Sequence, residues 1–421
     1  MVATKGKTMN IAIIGSGISG LGAAFLLDKQ HNITVYEKND YVGGHSRTLQ
    51  VNGTPVDTGF IVFNHRNYPN LVGLFNQLGV ATEKSDMSFA ASISNGWLEY
   101  GTKNTPSIFA QKINLLRPSF WRMMMDVFRF NKLAPDYMDA PVTVTLGECL
   151  DKLKMGEWFR RYFLLAMGGA IWSCPVEQML QFPARTFVRF FHNHGLLTIN
   201  DQPQWYTVTG GSREYVRKLT ATLGQPVRVN TAVKRVEKTA QGIAVETVDN
   251  ETQIYDHVIF ACHADQALKL LAAPSEQQQQ ILGKVGYHSN HAVLHSDESF
   301  MPKIKQCWAS WAYMSDNRHD KNPSISLTYW MNNLQNLKGA PLFVTLNPSR
   351  LPDATKIHNQ YVFEHPVFDR DAIEAQEQLA NIQGKGNMWF CGAWTRYGFH
   401  EDGLSSGINV AQALGANLPW K

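Results

Sequence analysis

With 421 residues, 44% of them hydrophobic, the chain has apolar content for a large core and length for roughly two or three domains. A formal net charge of +4 is only mildly basic and does not point to a nucleic-acid partner. No apolar run is long and unbroken enough to cross a membrane as a helix. Cys149, Cys174, Cys262, Cys307 and Cys391 are odd in number and lack metal or redox spacing, so they read as thiols of a reducing cytoplasm.

The first elements follow at once. IAIIGSGISGLGAAFLL (residues 11–27) begins as a short buried strand, turns at Gly15, Gly17 and Gly20, and continues as a helix over 21–29. Lys5 and Lys7 before it imitate a secretory signal, but three glycines break the apolar run and no small-residue cleavage site follows. ITVYEK (33–38) is a second buried strand, with Glu37 at its end. Together these make a βαβ unit. Gly15 permits the tight turn, Gly17 lets a pyrophosphate approach the backbone, and Gly20 lets helix and strand pack closely. The helix N-terminus offers free N–H groups to phosphates. Glu37 is placed to accept hydrogen bonds from ribose hydroxyls, and its charge disfavours a 2′-phosphate.

The βαβ unit does not choose between NAD and FAD. NDYVGGHSRT (39–48) then adds the Gly43–Gly44 pair and basic residues just past the ribose acid. Near the other end, MWFCGAWTRYGFHEDGLSSGINVAQAL (388–414) reads as a buried strand, Gly392, a loop, and a helix opening near Gly403. Between them VTGGSREYVRKL (208–219) opens a helix, residues 226–236 and 242–247 pair as strands, and DHVIFACHA (256–264) ends in a buried strand.

On these residues the chain resembles the flavin-containing amine oxidase superfamily, which includes monoamine oxidases, protoporphyrinogen oxidase and carotenoid desaturases. The resemblance implies an α/β fold (α+β overall): a Rossmann-like, glutathione-reductase-type FAD-binding domain with an inserted helical and antiparallel-sheet substrate domain. Residues 1–59, 202–290 and 384–421 would form the first and 60–201 with 291–383 the second. It implies non-covalent FAD contacted by Gly15, Gly17, Ser19, Gly20, Glu37, Lys38, Gly43, Gly44, His45, Ser46, Arg47, Gly392, Asp402, Gly403 and Leu404, with Val229 or Val233 near the adenine. Two departures stand out. The superfamily usually has Arg directly after the Gly-Gly pair, whereas this chain has His45 there and Arg47 two residues on. An acid often follows the C-terminal glycine, where this chain has Ala393 and Trp394.

Residues 60–201 read as mostly helical. HAVLHSD, CWASWAYM, SISLTYWMN and PLFVTLN, between residues 291 and 347, read as strands of a sheet covering the flavin. RPSFWRMMMDVFRFNK (117–132) mixes bulky apolar residues with Arg117, Arg122, Arg129 and Lys132, leaving two readings: a core helix with snorkelling arginines, or a segment docked at the inner face of a membrane. In FPARTFVRFFHNHGLL (182–197), His192 and His194 would share a face if the stretch were a strand, guiding an anionic headgroup with Arg185 and Arg189 or serving as structural histidines. No further ligand at suitable spacing supports a metal.

A flavoenzyme that removes a hydride must hold the donor carbon, exclude water and accept a proton. His400 and Tyr397, with Glu401 and Asp402 behind them, are the candidate catalytic groups. YVGGHS, VDTGFIVFN, MGGAIWSCP, RFFHNHGLL, ACHADQAL and YGFHEDGL further resemble bacterial FAD-dependent oxidoreductases similar to the flavoprotein region fused to plant cyclopropane fatty acid synthases. Their genes often neighbour lipid methyltransferases. This resemblance implies a fatty acyl substrate and a methyltransferase partner. An amine oxidase, with Trp394 and Tyr397 as an aromatic cage, and a non-redox isomerase- or hydratase-like accessory flavoprotein are the competing readings.

Overall fold

The computed structural model describes residues 7–172, 176–193, 195–198, 202–316 and 326–420. Its organising layer is a four-stranded parallel sheet in the order Met388–Phe390, His257–Phe260, Asn10–Ile14, Asn32–Tyr36. The sheet therefore joins the two ends of the sequence through its middle. Residues 11–14 are buried, as a parallel strand covered on both faces requires. The helix Ile18–Leu27 is buried at every residue. The sheet covers one side of it and the helix His400–Ala413 the other. A three-stranded antiparallel sheet, Val233–Thr239, Gly242–Thr247 and Thr252–Tyr255, flanks this layer.

A second sheet has seven strands in the order Ile357–Pro366, Tyr287–His295, Phe343–Leu346, Ser326–Trp330, Trp311–Ser315, Phe89–Ile93, Leu98–Gly101. All neighbours are antiparallel except Trp311–Ser315 with Phe89–Ile93. Helices between residues 118 and 193 pack on it around Phe89, Tyr100, Phe120, Phe130, Phe159, Phe187 and Tyr313.

Several details depart from the sequence reading. The stretch 60–201 contains the strands Val62–Asn64, Thr82–Ser85, Phe89–Ile93 and Leu98–Gly101, which the helical reading omits. Phe63, Leu71, Leu74 and Phe75, assigned by sequence to the second domain, pack into the core of the parallel sheet. The division drawn between 290 and 291 falls inside the strand Tyr287–His295. The ten-residue strand Ile357–Pro366 has mostly exposed alternate residues and lacks the apolar run that marked its neighbours. His192 lies on the helix Ala184–Asn193, not on a strand, and His194 lies outside the described residues. Among the described residues no helix is long and apolar enough to cross a membrane, and no three His, Cys, Asp or Glu side chains form a metal site.

Candidate functional site

The glycine loop after the first strand is shaped by backbone contacts. Gly15 adopts φ +110°, and a Cβ there would lie 2.6 Å from the Ala261 carbonyl oxygen. A Cβ on Gly20 would lie 2.1 Å from the Gly15 oxygen, so the helix can approach the strand only as glycine. Gly17 differs. Its φ of −69° suits any residue, and a Cβ would meet nothing within 4 Å. The space it leaves lies at the N-terminus of a fully buried helix, where free N–H groups are available to an anion.

Glu37 closes one side. Its carboxylate accepts hydrogen bonds from the Ser16 N–H (3.1 Å) and hydroxyl (2.6 Å) and from the Asn39 N–H (2.9 Å) and amide (2.8 Å). These bonds fix the acid beside the loop, and Ser16 is a participant the motif reading passed over. Lys38 is exposed next to it. Gly43 and Gly44 take positive φ, and a Cβ on Gly44 would lie 3.1 Å from the Gly17 Cα. The Gly-Gly pair thus forms the facing wall, tied down by the Gly43 N–H donating to the Ser16 carbonyl at 3.1 Å.

The next residues diverge. The Nε2 of His45 is buried without a hydrogen-bond partner, and the ring sits among Phe363 (5.0 Å) and His365 (5.3 Å). Burial pushes its pKa down to about 4. A buried ring nitrogen left without a partner beside the Gly-Gly pair fits a group that meets a ligand there. Arg47 turns the other way, stacking its guanidinium 4.4 Å from the Tyr361 ring and donating to Asn359 at 3.3 Å. Val233 begins its strand half-buried, whereas Val229 is exposed.

The C-terminal segment completes the groove. The helix begins at His400, three residues before the sequence reading. A Cβ on Gly403 would lie 3.0 Å from both Ile18 and Ser19, and one on Gly407 2.2 Å from the Ser19 carbonyl oxygen. Ser19, Gly403 and Leu404 therefore act in helix–helix packing, Leu404 pressing on Gly22. Asp402 caps its own helix by accepting from the Phe399 N–H at 3.0 Å. Gly392 leaves room for the Trp394 indole, which a Cβ would meet at 2.5 Å. That indole is buried and donates to the Cys262 carbonyl at 3.3 Å.

The two candidate catalytic residues are separated. The His400 ring stacks on Phe60 (3.8 Å, 7°), and its Nε2 meets the hydroxyls of Tyr215 (2.8 Å) and Ser46 (3.1 Å). Burial lowers its pKa to about 3, so the ring is neutral. It fastens the N-terminus of the last helix to the loop behind the Gly-Gly pair. Tyr397 instead lines a cavity of about 800 Å³. Tyr68, Leu197 and Phe399 give this cavity apolar walls, and Arg66, Arg396, Glu401 and Asp402 give it polar ones. Glu401 accepts from the Asn70 and Leu71 N–H groups at 2.9 Å each, capping the helix Pro69–Leu78 from outside. Burial raises Glu401 to about 7 and Asp402 to about 6. Cavity and groove share the first turn of the last helix.

Asp57 is a further hub that the motif search missed. Fully buried, it accepts from the Ser212 N–H (2.9 Å), the Ser212 hydroxyl (2.8 Å) and the Gln335 amide (2.9 Å). Thr48, nine residues away on the paired strand, also donates to it (2.5 Å), but Ser212 and Gln335 lie 155 and 278 residues away, beyond any local pattern.

Comparison with known proteins gives the family. The family model for flavin containing amine oxidoreductases matches residues 18–415. Flavin-containing amine oxidase B of Bos taurus is 26% identical over 315 residues, which is 71% of this chain and 59% of that protein. The fold is similar to a CLA-producing fatty acid isomerase from P. acnes (TM-score 0.70, 16% identity, 98% of this chain and 100% of that one). It is equally similar to cyclohexylamine oxidase from Brevibacterium oxydans (TM-score 0.71, 15% identity, 97% and 100%). The chain belongs to the flavin containing amine oxidoreductase family, has the fold of its FAD-dependent members, and takes FAD as its cofactor.

Proposed function

We propose that this protein oxidises an apolar substrate, a methyl-branched or unsaturated fatty acyl chain, with FAD held non-covalently. The observation that carries the reading is the cavity beside the groove, in which an apolar wall of Tyr68, Leu197, Tyr397 and Phe399 adjoins a charged one of Arg66, Arg396, Glu401 and Asp402, as a chain with a polar end requires, while Trp394 is buried under Gly392 and leaves an aromatic amine cage without its second side. Gly15, Gly17 and Gly20, Glu37 and Gly43–Gly44 would hold the dinucleotide, with His45 facing it. FAD supplies the hydride acceptor, which O2 or another oxidant restores. Desaturation releases one hydride and one proton from adjacent carbons. Glu401, at about 7, has the proton affinity to hold that proton at neutral pH. Tyr397 orients the chain, and His400, neutral and bound by two hydroxyls, positions the last helix. The fatty acid isomerase shares this fold, which is consistent with a lipid in such a chamber, and a methyltransferase that alkylates lipid double bonds would be the supplier of substrate.

A second reading, oxidation of an amine, draws on Glu401 and Asp402 in the cavity wall and on the amine oxidase relatives. Anaerobic mixing separates the two. Bleaching of the flavin absorption band by monounsaturated or methyl-branched phospholipid, and not by a panel of amines, supports the acyl reading. Bleaching by an amine alone sinks it. Silence toward both moves the assignment to a non-redox accessory flavoprotein.

A further inference from the structure

The helix Pro118–Leu133 has two apolar faces. Phe120, Met123 and Phe130 are buried and pack on the seven-stranded sheet. The opposite stripe, at helical spacing, exposes Trp121 (44%), Met125 (55%) and Phe128 (62%). The 3-10 turn Lys112–Leu116 just before it adds Ile113 (48%), Leu115 (44%) and Leu116 (79%). The Trp121 Nε1–H donates to the Leu115 carbonyl at 3.0 Å, which locks turn and helix into one surface. Scattered exposed apolar residues are ordinary, but a contiguous cluster marks a contact surface.

Charge says what the surface meets. Residues 112–132 carry Lys112, Arg117, Arg122, Arg129 and Lys132 against Asp126 alone, an excess equal to the whole chain's formal net charge of +4. Asp126 is itself buried and held by Arg122 (3.1 Å) and Arg129 (2.7 Å), so no acid stands on the exposed stripe. Two copies of such a surface repel each other, whereas an anionic one attracts it. The helix runs directly into the turn Ala134–Tyr137, whose Pro135 lines the cavity beside the groove.

We propose that residues 112–132 form a basic, apolar pad that seats the protein on an anionic phospholipid bilayer, with the cavity mouth beside the membrane surface. Leu116, Trp121, Met125 and Phe128 enter the acyl boundary while Lys112 and Lys132 meet the headgroups. The pad does not depend on which molecule the flavin oxidises.

Co-sedimentation of the FAD-loaded full chain with vesicles tests this without turnover, so a wrong substrate assignment leaves the readout intact. The expected result is binding to phosphatidylcholine vesicles containing phosphatidylglycerol, weak binding to phosphatidylcholine alone, and release by salt. Lys112→Gln with Lys132→Gln, both exposed, should weaken anionic binding by about thirtyfold. Leu116→Asp with Phe128→Asp should abolish it while the flavin spectrum and melting temperature stay put. The lysine pair keeps the test decisive if the aspartates disturb folding. Equal binding to both vesicle types, no binding to either, or dimerisation lost in the aspartate variant without any vesicle binding would overturn the proposal.

Discussion

Gly17 and Gly20 sit three residues apart and have opposite physical reasons to be glycine. Alanine at 20 would push a Cβ into backbone, whereas alanine at 17 would project into open space from an ordinary φ. Gly20→Ala should therefore destabilise the fold itself, by about 3 kcal/mol as an overpacked core position. Gly17→Ala should leave the melting temperature of deflavinated protein unchanged and lower FAD retention about tenfold or more, equivalent to about 1.4 kcal/mol. The ratio of flavin to protein absorbance after gel filtration, read beside a thermal melt, separates the two. A Gly17→Ala protein that keeps its flavin would remove that residue from the cradle. At this scale the GxGxxG spacing was readable because its meaning is local. The Ser16–Glu37 bond and the orphaned His45 were not, since a side chain's direction is decided by packing from elsewhere.

The pairing of the first and last helices is set by small residues. Gly403 and Gly407 let the last helix rest on Ile18 and Ser19, and Gly22 receives Leu404. Gly407→Ala should cost about 3 kcal/mol by forcing the helices apart. Gly415→Ala, with φ +94° and nothing nearby, should cost only about 1 kcal/mol of backbone strain. Urea midpoints of the two variants test this, and equal losses would mean that the helices yield freely. The sequence reading took Gly403 as a cofactor contact. Its role in packing emerges only when the N- and C-terminal segments lie side by side, although the four-residue spacing of Gly403 and Gly407 was a usable signal. The same limit explains the second sheet: Phe89–Ile93 pairs with Trp311–Ser315, more than two hundred residues away, and no local pattern encodes that partner.

At the scale of the molecule, burial holds a set of histidines neutral. His45, His263 and His295 are lowered to about 4, and His365 and His400 to about 3. An unfolded chain protonates imidazoles at about pH 6.5. Between there and about pH 4 the unfolded state binds the extra protons, so stability falls as pH drops through that window. Burial acts oppositely on Asp57 and Asp402, raised to about 6, and Glu401, raised to about 7. Those carboxyls take protons in the folded state first and so stabilise it on acidification. The larger number of histidines leaves a net loss. The melting temperature should be lower at about pH 5 than at about pH 7.5, and His295→Gln, in the second sheet, should shrink the difference. A difference unchanged by that substitution would show that His295 does not remain neutral in the fold.

Local sequence was enough to specify the βαβ unit. A strand, a glycine turn, a helix and a second strand lie within residues 10–37, and each is dictated by local periodicity and by φ/ψ limits that travel with the residue type. Family membership followed, because the Gly-Gly pair and the C-terminal glycine stand in the same order. Tertiary structure alone decided which way the remaining groups face. It set Trp394 under Gly392, bound His400 to Tyr215 and Ser46, left Tyr397 on the cavity wall, and turned Trp121, Met125 and Phe128 outward while Phe120 and Phe130 went in. A residue's type fixes what it can bond to, but its exposure is a property of everything packed around it, and those neighbours are supplied by distant parts of the chain.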